Sequence, residues 1–243
     1  MKQHKRYKSV YKQFLRLRRN IQDRPKLFKF KRQKWQNIQQ YSKNQLKFYR
    51  RFKVRDQFQS SISRFASRGN SFQRKFRVNL HERKLFNLFY GGLKRKYFKK
   101  QIIDSIKTKQ YQNQTSDFRH KTLQMFENRL DCVLVRANFC FSFRNAAQLL
   151  LHGHVLVNGK TVTNKCYIVK PNDLIEIASN IKSRNLIRKN LDRSNFWPIP
   201  PKNLVINYRI LQILILQSDI SKSLPIFNHY LSLNSVISNI RRY

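Results

Sequence analysis

His152-Gly153-His154-Val155-Leu156-Val157-Asn158-Gly159-Lys160-Thr161-Val162 is the stretch whose reading decides the fold. Two short runs of β-branched and apolar residues flank Asn-Gly, a pair that takes positive φ at both positions at little cost and so favours a two-residue hairpin turn. Working outward, Lys170-Pro171-Asn172-Asp173 is a second turn, and Leu174-Ile175-Glu176-Ile177 alternates as a half-buried strand should. Upstream, Asn128 is placed to cap a helix carrying Leu130, Val133, Leu134 and Ala137. Ser142 is placed to cap a second helix carrying Ala146, Leu149 and Leu150, which Gly153 ends. The predicted order over 123–179 is helix, helix, strand, turn, strand, turn, strand, and the fold class is α+β with two helices packed on a short antiparallel sheet.

The segment before it is basic and helical. Leu80 to Ile103 carries Leu85, Leu88 and Phe89 on one side, with Arg83, Lys84, Lys94, Arg95, Lys96, Lys99 and Lys100 along the rest. Gly91-Gly92 divides it into two expected helices. Gln110 to Thr122 is polar and reads as a loop. Residues 1–59 interleave rings and cations, as in Lys26-Leu27-Phe28-Lys29-Phe30-Lys31-Arg32 and Phe48-Tyr49-Arg50-Arg51-Phe52-Lys53. Cations meet phosphates in such a pattern, and the rings either stack on bases or fill a small core. The Ser-rich stretch from Ser60 to Ser71 reads as a linker. The expected organisation is therefore a basic extension over 1–59, a linker over 60–79, a helical block over 80–122, the compact domain over 123–179 and a tail over 180–243.

Charge constrains the partner. The chain of 243 residues has 52 Lys plus Arg against 11 Asp plus Glu, a formal net charge of +41. Self-repulsion on that scale opposes an isolated compact fold, so a polyanion belongs to the working state. A membrane span needs roughly 18 or more consecutive apolar residues. The most apolar run, Ile210 to Leu216, is interrupted by Gln212 and closed by Gln217, which leaves nucleic acid. A membrane-surface helix over Leu204 to Leu216 lacks a charged face, and burial against protein is expected there instead. The 3 cysteines, Cys132, Cys140 and Cys166, cannot all pair within one chain and include no Cys-x-x-Cys spacing, so unused thiols are expected. The 19 Phe and 11 Tyr beside only 5 Gly are what an AT-rich coding genome produces, as organelle genomes often are. Met1 to Asn20 reads either as a removable targeting segment or as part of a mature basic arm.

The residues Asn128-Arg129-Leu130-Asp131, Ala146 with Gln148-Leu149, His152 through Lys160, and Lys170 through Ile175 resemble, in order and spacing, the αL RNA-binding domain of the small-subunit ribosomal protein S-four family. That domain also occurs in pseudouridine synthases, tyrosyl-tRNA synthetases and RNA methyltransferases, so the flanks decide. Leu80-His81-Glu82-Arg83-Lys84-Leu85 with Phe89-Tyr90-Gly91 and Lys96-Tyr97-Phe98 is similar to the helical block of the ribosomal members. Leu204-Val205-Ile206-Asn207-Tyr208-Arg209 with Leu224-Pro225 is similar to the tail of mitochondrial ones.

The resemblance implies a structural constituent of the mitochondrial small ribosomal subunit. Such a protein binds the five-prime domain of small-subunit rRNA early in assembly, touches neighbouring small-subunit proteins, and sits by the path where mRNA enters. It is expected to act as a single copy, not a homo-oligomer, without membrane contact or cofactor. The implied RNA-binding positions are Arg129, Ser142, Gln148, His152, His154, Asn158 and Lys160, with Arg144 beside them and the basic helical block upstream. Members of the family usually carry basic residues where Phe143 and Ala147 stand, which puts the contact there in doubt. Many bacterial members hold zinc through N-terminal cysteines, and with none before Cys132 no zinc is expected. His152 and His154 with Cys140 or Cys166 make a weak ligand set.

No enzyme is expected. The Arg-Leu-Asp of a pseudouridine synthase would need small polar and Gly residues after its aspartate, whereas Asp131 is followed by Cys132-Val133-Leu134-Val135. Asp131 reads as a helix N-terminal acid. Gly69, Gly91, Gly92, Gly153 and Gly159 form no cofactor loop of the kind a methyltransferase needs. A free RNA chaperone or assembly factor that leaves the mature subunit is the alternative reading.

Overall fold

The computed structural model describes residues 10–22, 29–38, 40, 72–112, 118–192, 201–216, 233 and 236. The chain divides into two compact units, Met1–Phe89 with Ile226–Tyr243, and Tyr90–Pro225.

In the first unit, α1 (Tyr11–Leu17) buries Phe14 and Leu17 and ends on Arg18 in the left-handed conformation, φ 50°. Helix α2 (Phe72–Phe89) buries Leu85, Phe86, Leu88 and Phe89 on one side. The Gln22 side-chain amide donates to the Leu88 carbonyl at 2.8 Å, tying the chain after α1 to the end of α2. Rings pack on rings: Tyr11 meets Phe30 edge-on at 5.3 Å, and Phe30 lies 4.8 Å from Trp35. Of the two readings left open for the aromatics, core filling holds for these. The runs from Lys26 to Phe28 and from Phe48 to Lys53 lie outside the described residues, as does Ser60 to Ser71. Because α2 begins at Phe72, residues 72–79 are helix where a linker was expected.

The second unit opens with Gly91 and Gly92, both at φ 80°, which separate α2 from α3 (Arg95–Gln112) as the sequence predicts. Helix α3 packs on α4 (Phe118–Glu127), so residues 110–112 and 118–122 of the polar stretch are helix where a loop was expected, and 113–117 lie outside the described residues. Its polarity is partly internal, since the Ser105 hydroxyl meets the Thr122 hydroxyl at 2.8 Å in the buried seam. Phe126 seals the seam, its ring 5.5 Å from both Tyr90 and Phe98.

Helices α5 (Leu130–Arg136) and α6 (Phe143–Leu151) follow and pack on each other. The cap of α5 differs from expectation: Arg129, in extended conformation, occupies that position and makes no side-chain cap. Asn128 instead accepts from the Val169 amide through its carbonyl at 2.9 Å, and the Leu130 amide donates to the Tyr167 carbonyl at 2.9 Å. Backbone pairing therefore starts this helix. Ser142 caps α6 as expected, its hydroxyl accepting from the Asn145 amide at 3.3 Å.

The strands are β1 (Val155–Val157), β2 (Lys160–Thr161) and β3 (Leu174–Ile177), then β4 (Leu204–Asn207) and β5 (Gln212–Ile215) after α7 (Ile181–Asp192). All pair antiparallel in the order β2-β1-β3-β5-β4. Val155, Val157, Ile175, Ile177, Ile213 and Ile215 point to one face and join Leu134, Phe139, Leu150 and Ile187 in a single apolar core. Each such fully buried side chain contributes about 1.5–3 kcal/mol. The region expected as a tail thus supplies α7 and a hairpin that extends the sheet. The Leu204–Leu216 segment is neither a membrane-surface helix nor a free tail, because Leu204, Leu211, Ile213 and Ile215 are core residues.

One carboxylate joins the two predicted turns. Asp173 accepts from the Asn158 side-chain amide at 2.9 Å and from the Lys170 backbone amide at 2.8 Å, while the Leu174 amide donates to the Asn158 side-chain oxygen at 2.9 Å. Asn158 and Gly159 stand at φ 51° and 78°, as the hairpin reading requires.

Phe143 explains the first departure from the family pattern. A Cβ at Gly91 would lie 2.6 Å from the Phe143 Cβ, whereas one at Gly92 would meet nothing within 4 Å. Gly92→Ala should cost only left-handed strain, about 1–2 kcal/mol. Gly91→Ala should add an overpacking cost of about 1–3 kcal/mol. Urea unfolding of both variants checks the order, and equal losses would contradict the Phe143 contact.

Candidate nucleic-acid interface

Helix α6 arranges its polar residues by simple periodicity. Ala146, Leu149 and Leu150 face the core, which turns Arg144 and Gln148 outward one turn apart, with His152 at the C-terminal cap a further turn on. Gly153 at φ 70° then redirects the chain into β1. His154 comes back alongside His152, their rings 5.9 Å apart and nearly parallel at 13°. Arg144, Gln148 and His152 are exposed and His154 is half-buried, so the four form a continuous line of hydrogen-bonding groups. Lys160 is exposed on β2 beyond the turn.

Three of the residues expected in this surface have other duties. Arg129 is 2% exposed, its guanidinium 2.5 Å from the Asp131 carboxylate and 5.5 Å above the Tyr97 ring. It sits inside the unit at the junction of α4 and α5 rather than on the exposed surface. Ser142 is spent on its cap, and both ends of the Asn158 amide are engaged by Asp173 and Leu174. Sequence reading treated polar residues in the αL segment alike, and only the fold shows that Arg129 turns inward while Ser142 and Asn158 bond to the framework from its surface.

The upstream cations divide between the units. Arg83 and Lys84 belong to α2 in the first unit, half-buried and exposed respectively. Lys94, Arg95, Lys96, Lys99 and Lys100 are exposed in the second, where Phe98 and Ile102 take the buried side of α3. Arg95 with Lys99 and Lys96 with Lys100 fall one turn apart, producing a positive ridge. Helix α7 adds exposed Lys182, Arg188 and Lys189, which the sequence reading left in a tail; their helical spacing was the available signal.

The buried titratable groups of the domain are shifted by their surroundings. Burial pushes the Cys140 thiol up to about 12 and raises Cys132 well above the ordinary thiol range, with Glu127 adding to the latter. Burial also raises the Asp131 carboxyl, a shift that Arg129 opposes. Among the described residues, no group of three or more His, Cys, Asp and Glu is arranged to hold a metal. No described helix is long and apolar enough to cross a membrane.

Glu127 is the most heavily used acid. It accepts from the Tyr90 hydroxyl at 2.6 Å and from Arg136 through two bonds of 2.9 Å each. Burial works to raise its pKa, but the Arg136 charge and these hydrogen bonds outweigh it and hold the carboxyl below its ordinary 4.5. The stability it contributes is therefore complete above about pH 4.5 and lost as pH falls through the lower folded value. Denaturant unfolding across pH 3–6 should show a shallower acid limb in Glu127→Gln than in the parent chain.

Breaking the other pair should be costlier. Arg129→Met leaves a buried, uncompensated Asp131 and should destabilise by about 3–5 kcal/mol, most of it recovered by adding Asp131→Leu. Additive losses in urea unfolding of the double variant would rule out the pairing as the cause.

Comparison with known proteins places these observations. Residues 128–175 match the family profile described as the S4 domain. Small ribosomal subunit protein uS4 of Aquifex aeolicus (strain VF5) is 37% identical over 126 residues, 52% of this chain and 57% of that protein. Its counterpart in Persephonella marina is 33% identical over 125 residues, 51% of this chain and 58% of that protein. The chain thus spans little more than half the length of these bacterial relatives. Small ribosomal subunit protein uS4m of Marchantia polymorpha is 34% identical over 149 residues, 60% of this chain and 71% of that protein. On that extent of identity, with the S4 domain at its centre, the chain belongs to the small ribosomal subunit protein uS4 family.

Proposed function

We propose that the protein is a structural constituent of a small ribosomal subunit that binds small-subunit rRNA through the outer side of α6, the following hairpin and the cationic ridge of α3. The observation that carries this reading is the line of exposed Arg144, Gln148 and His152 with half-buried His154 within the S4 domain, on a chain of net charge +41. Arginine supplies charge-assisted bonds to phosphate, and the amide and imidazoles can meet ribose hydroxyls or base edges. Lys160, Lys94, Arg95, Lys96, Lys99 and Lys100 supply further phosphate contacts, and Arg83 and Lys84 are separate candidates for such contacts on the first unit. The apolar core beneath α6 holds this line rigid, so little ordering entropy opposes binding.

The finer reading is a mitochondrial ribosome, contact with the five-prime domain of its rRNA, a position by the path of incoming mRNA, and neighbouring small-subunit proteins as partners of a single copy. The plant mitochondrial relative and the Phe-, Tyr- and Lys-rich, Gly-poor composition support the compartment. A non-enzymatic role is supported by Asp131, whose carboxylate is sealed beneath α5 against Arg129 and offers substrate no approach.

Sedimentation of organelle lysate, with small-subunit, monosome and polysome fractions quantified by mass spectrometry, tests the assignment. Near-stoichiometric recovery in monosomes and polysomes is expected, and recovery only in small-subunit precursors would make it an assembly factor. With purified chain and five-prime-domain rRNA, Arg144→Glu should weaken binding and reduce the salt slope by about one. An unchanged slope would remove α6 from the interface.

A further inference from the structure

Helix α7 leaves an open groove of about 610 Å³ against the start of α6, lined by Phe141, Asn145, Lys182, Asn185, Leu186 and Lys189. Its size falls within the range of small-molecule sites. The groove is held open by the fold. Ile187 is fully buried in the core, and the buried Asn190 side chain donates to the Phe139 carbonyl at 3.2 Å, fixing α7 to the loop that presents Phe141. Two large apolar side chains nevertheless stay in contact with water: Phe141 is 54% exposed and Leu186 46%. Exposed lysines and side-chain amides stand around them, and none of the residues lining the groove is acidic.

We propose that this groove takes one unpaired RNA nucleotide, its base lying on the Phe141 ring. This extends the rRNA-binding reading above and rests on it. The chemistry divides by part: an aromatic face with an aliphatic neighbour suits a base of any identity, Asn145 and Asn185 can meet its edge, and Lys182 and Lys189 suit the flanking phosphates. A paired base has no free face to offer the ring, so a duplex does not enter. The site straddles the edge of the matched 128–175 segment: Phe141 and Asn145 lie within it, whereas Lys182, Asn185, Leu186 and Lys189 come from α7, which the sequence reading left as a tail.

The test uses the full chain in about 0.5 M KCl, where bare phosphate attraction is suppressed. The probes are a single-stranded hexa-adenylate with one central 2-aminopurine and a 12-base-pair RNA duplex. Phe141→Ala should weaken the hexamer roughly 5- to 100-fold, relieve the fluorescence quenching of its 2-aminopurine, and leave the duplex unchanged. Lys182→Gln with Lys189→Gln, both at exposed positions, should weaken the hexamer while leaving the circular-dichroism melt unchanged. Equal losses on hexamer and duplex, or an unchanged hexamer affinity in both variants, would overturn the groove assignment. Failure of the ribosomal reading looks different: the five-prime-domain rRNA would then bind independently of Arg144, whatever the hexamer does.

Discussion

A guanidinium and a carboxylate two residues apart, both closed off from water, hold the centre of the second unit. Arg129 and Asp131 are each 2% exposed, and three things meet on them: the end of α4, the first turn of α5 and, through the Tyr97 ring under the guanidinium, the start of α3. On either side, Asn128 and Leu130 bond to Val169 and Tyr167, so the 167–169 segment is fixed to the same point. The desolvation of two ions is large, and their attraction in a buried site offsets it only when geometry is good. What the pair contributes is specificity of arrangement, since neither ion tolerates being left behind without the other. Helix α5 begins between the two, at Leu130, and packs on α6.

With the junction set, charge and apolar surface separate cleanly. The sheet sends one set of alternate residues into a core of Val, Ile and Leu, and α5, α6 and α7 close over it. The cations are left on the outside of α3, α6 and α7. A chain with so few acids cannot neutralise these ridges internally. Three acids of the second unit, Glu127, Asp131 and Asp173, are engaged by Arg136, Arg129 and the two turns. The surface consequently keeps its positive field.

How much of this could be read from the sequence depended on whether the signal was local. Asn158-Gly159, Ser142 and Gly91-Gly92 act through their own φ values or a hydrogen bond three residues away, and each appears in the structure as expected. Arg129 could not be read that way. Nothing in Asn-Arg-Leu-Asp says that the arginine turns inward; that depends on Tyr97 and on segment 167–169, more than thirty residues away on either side. The same holds for β5, which pairs with β3 across some forty residues that include a helix, so the hairpin 204–215 looked like a tail. For the candidate interface, residue types were legible but burial was not: Arg144, Gln148 and His152 stayed outside while Ser142, Asn158 and Arg129 were recruited into the framework.

That division has a physical logic in α6 itself. Of its first residues, Ser142 closes the helix N-terminus and Phe143 packs over Gly91, so the end that the family pattern would make basic is instead anchored to the α2–α3 turn. Anchoring there removes one cation from the interface, and it also fixes the rotation of the helix about its axis. With 3.6 residues per turn, fixing Phe143 and Leu150 inward leaves Arg144, Gln148 and His152 no choice but to face out together. A side chain packed against a glycine thus decides which of its neighbours face out.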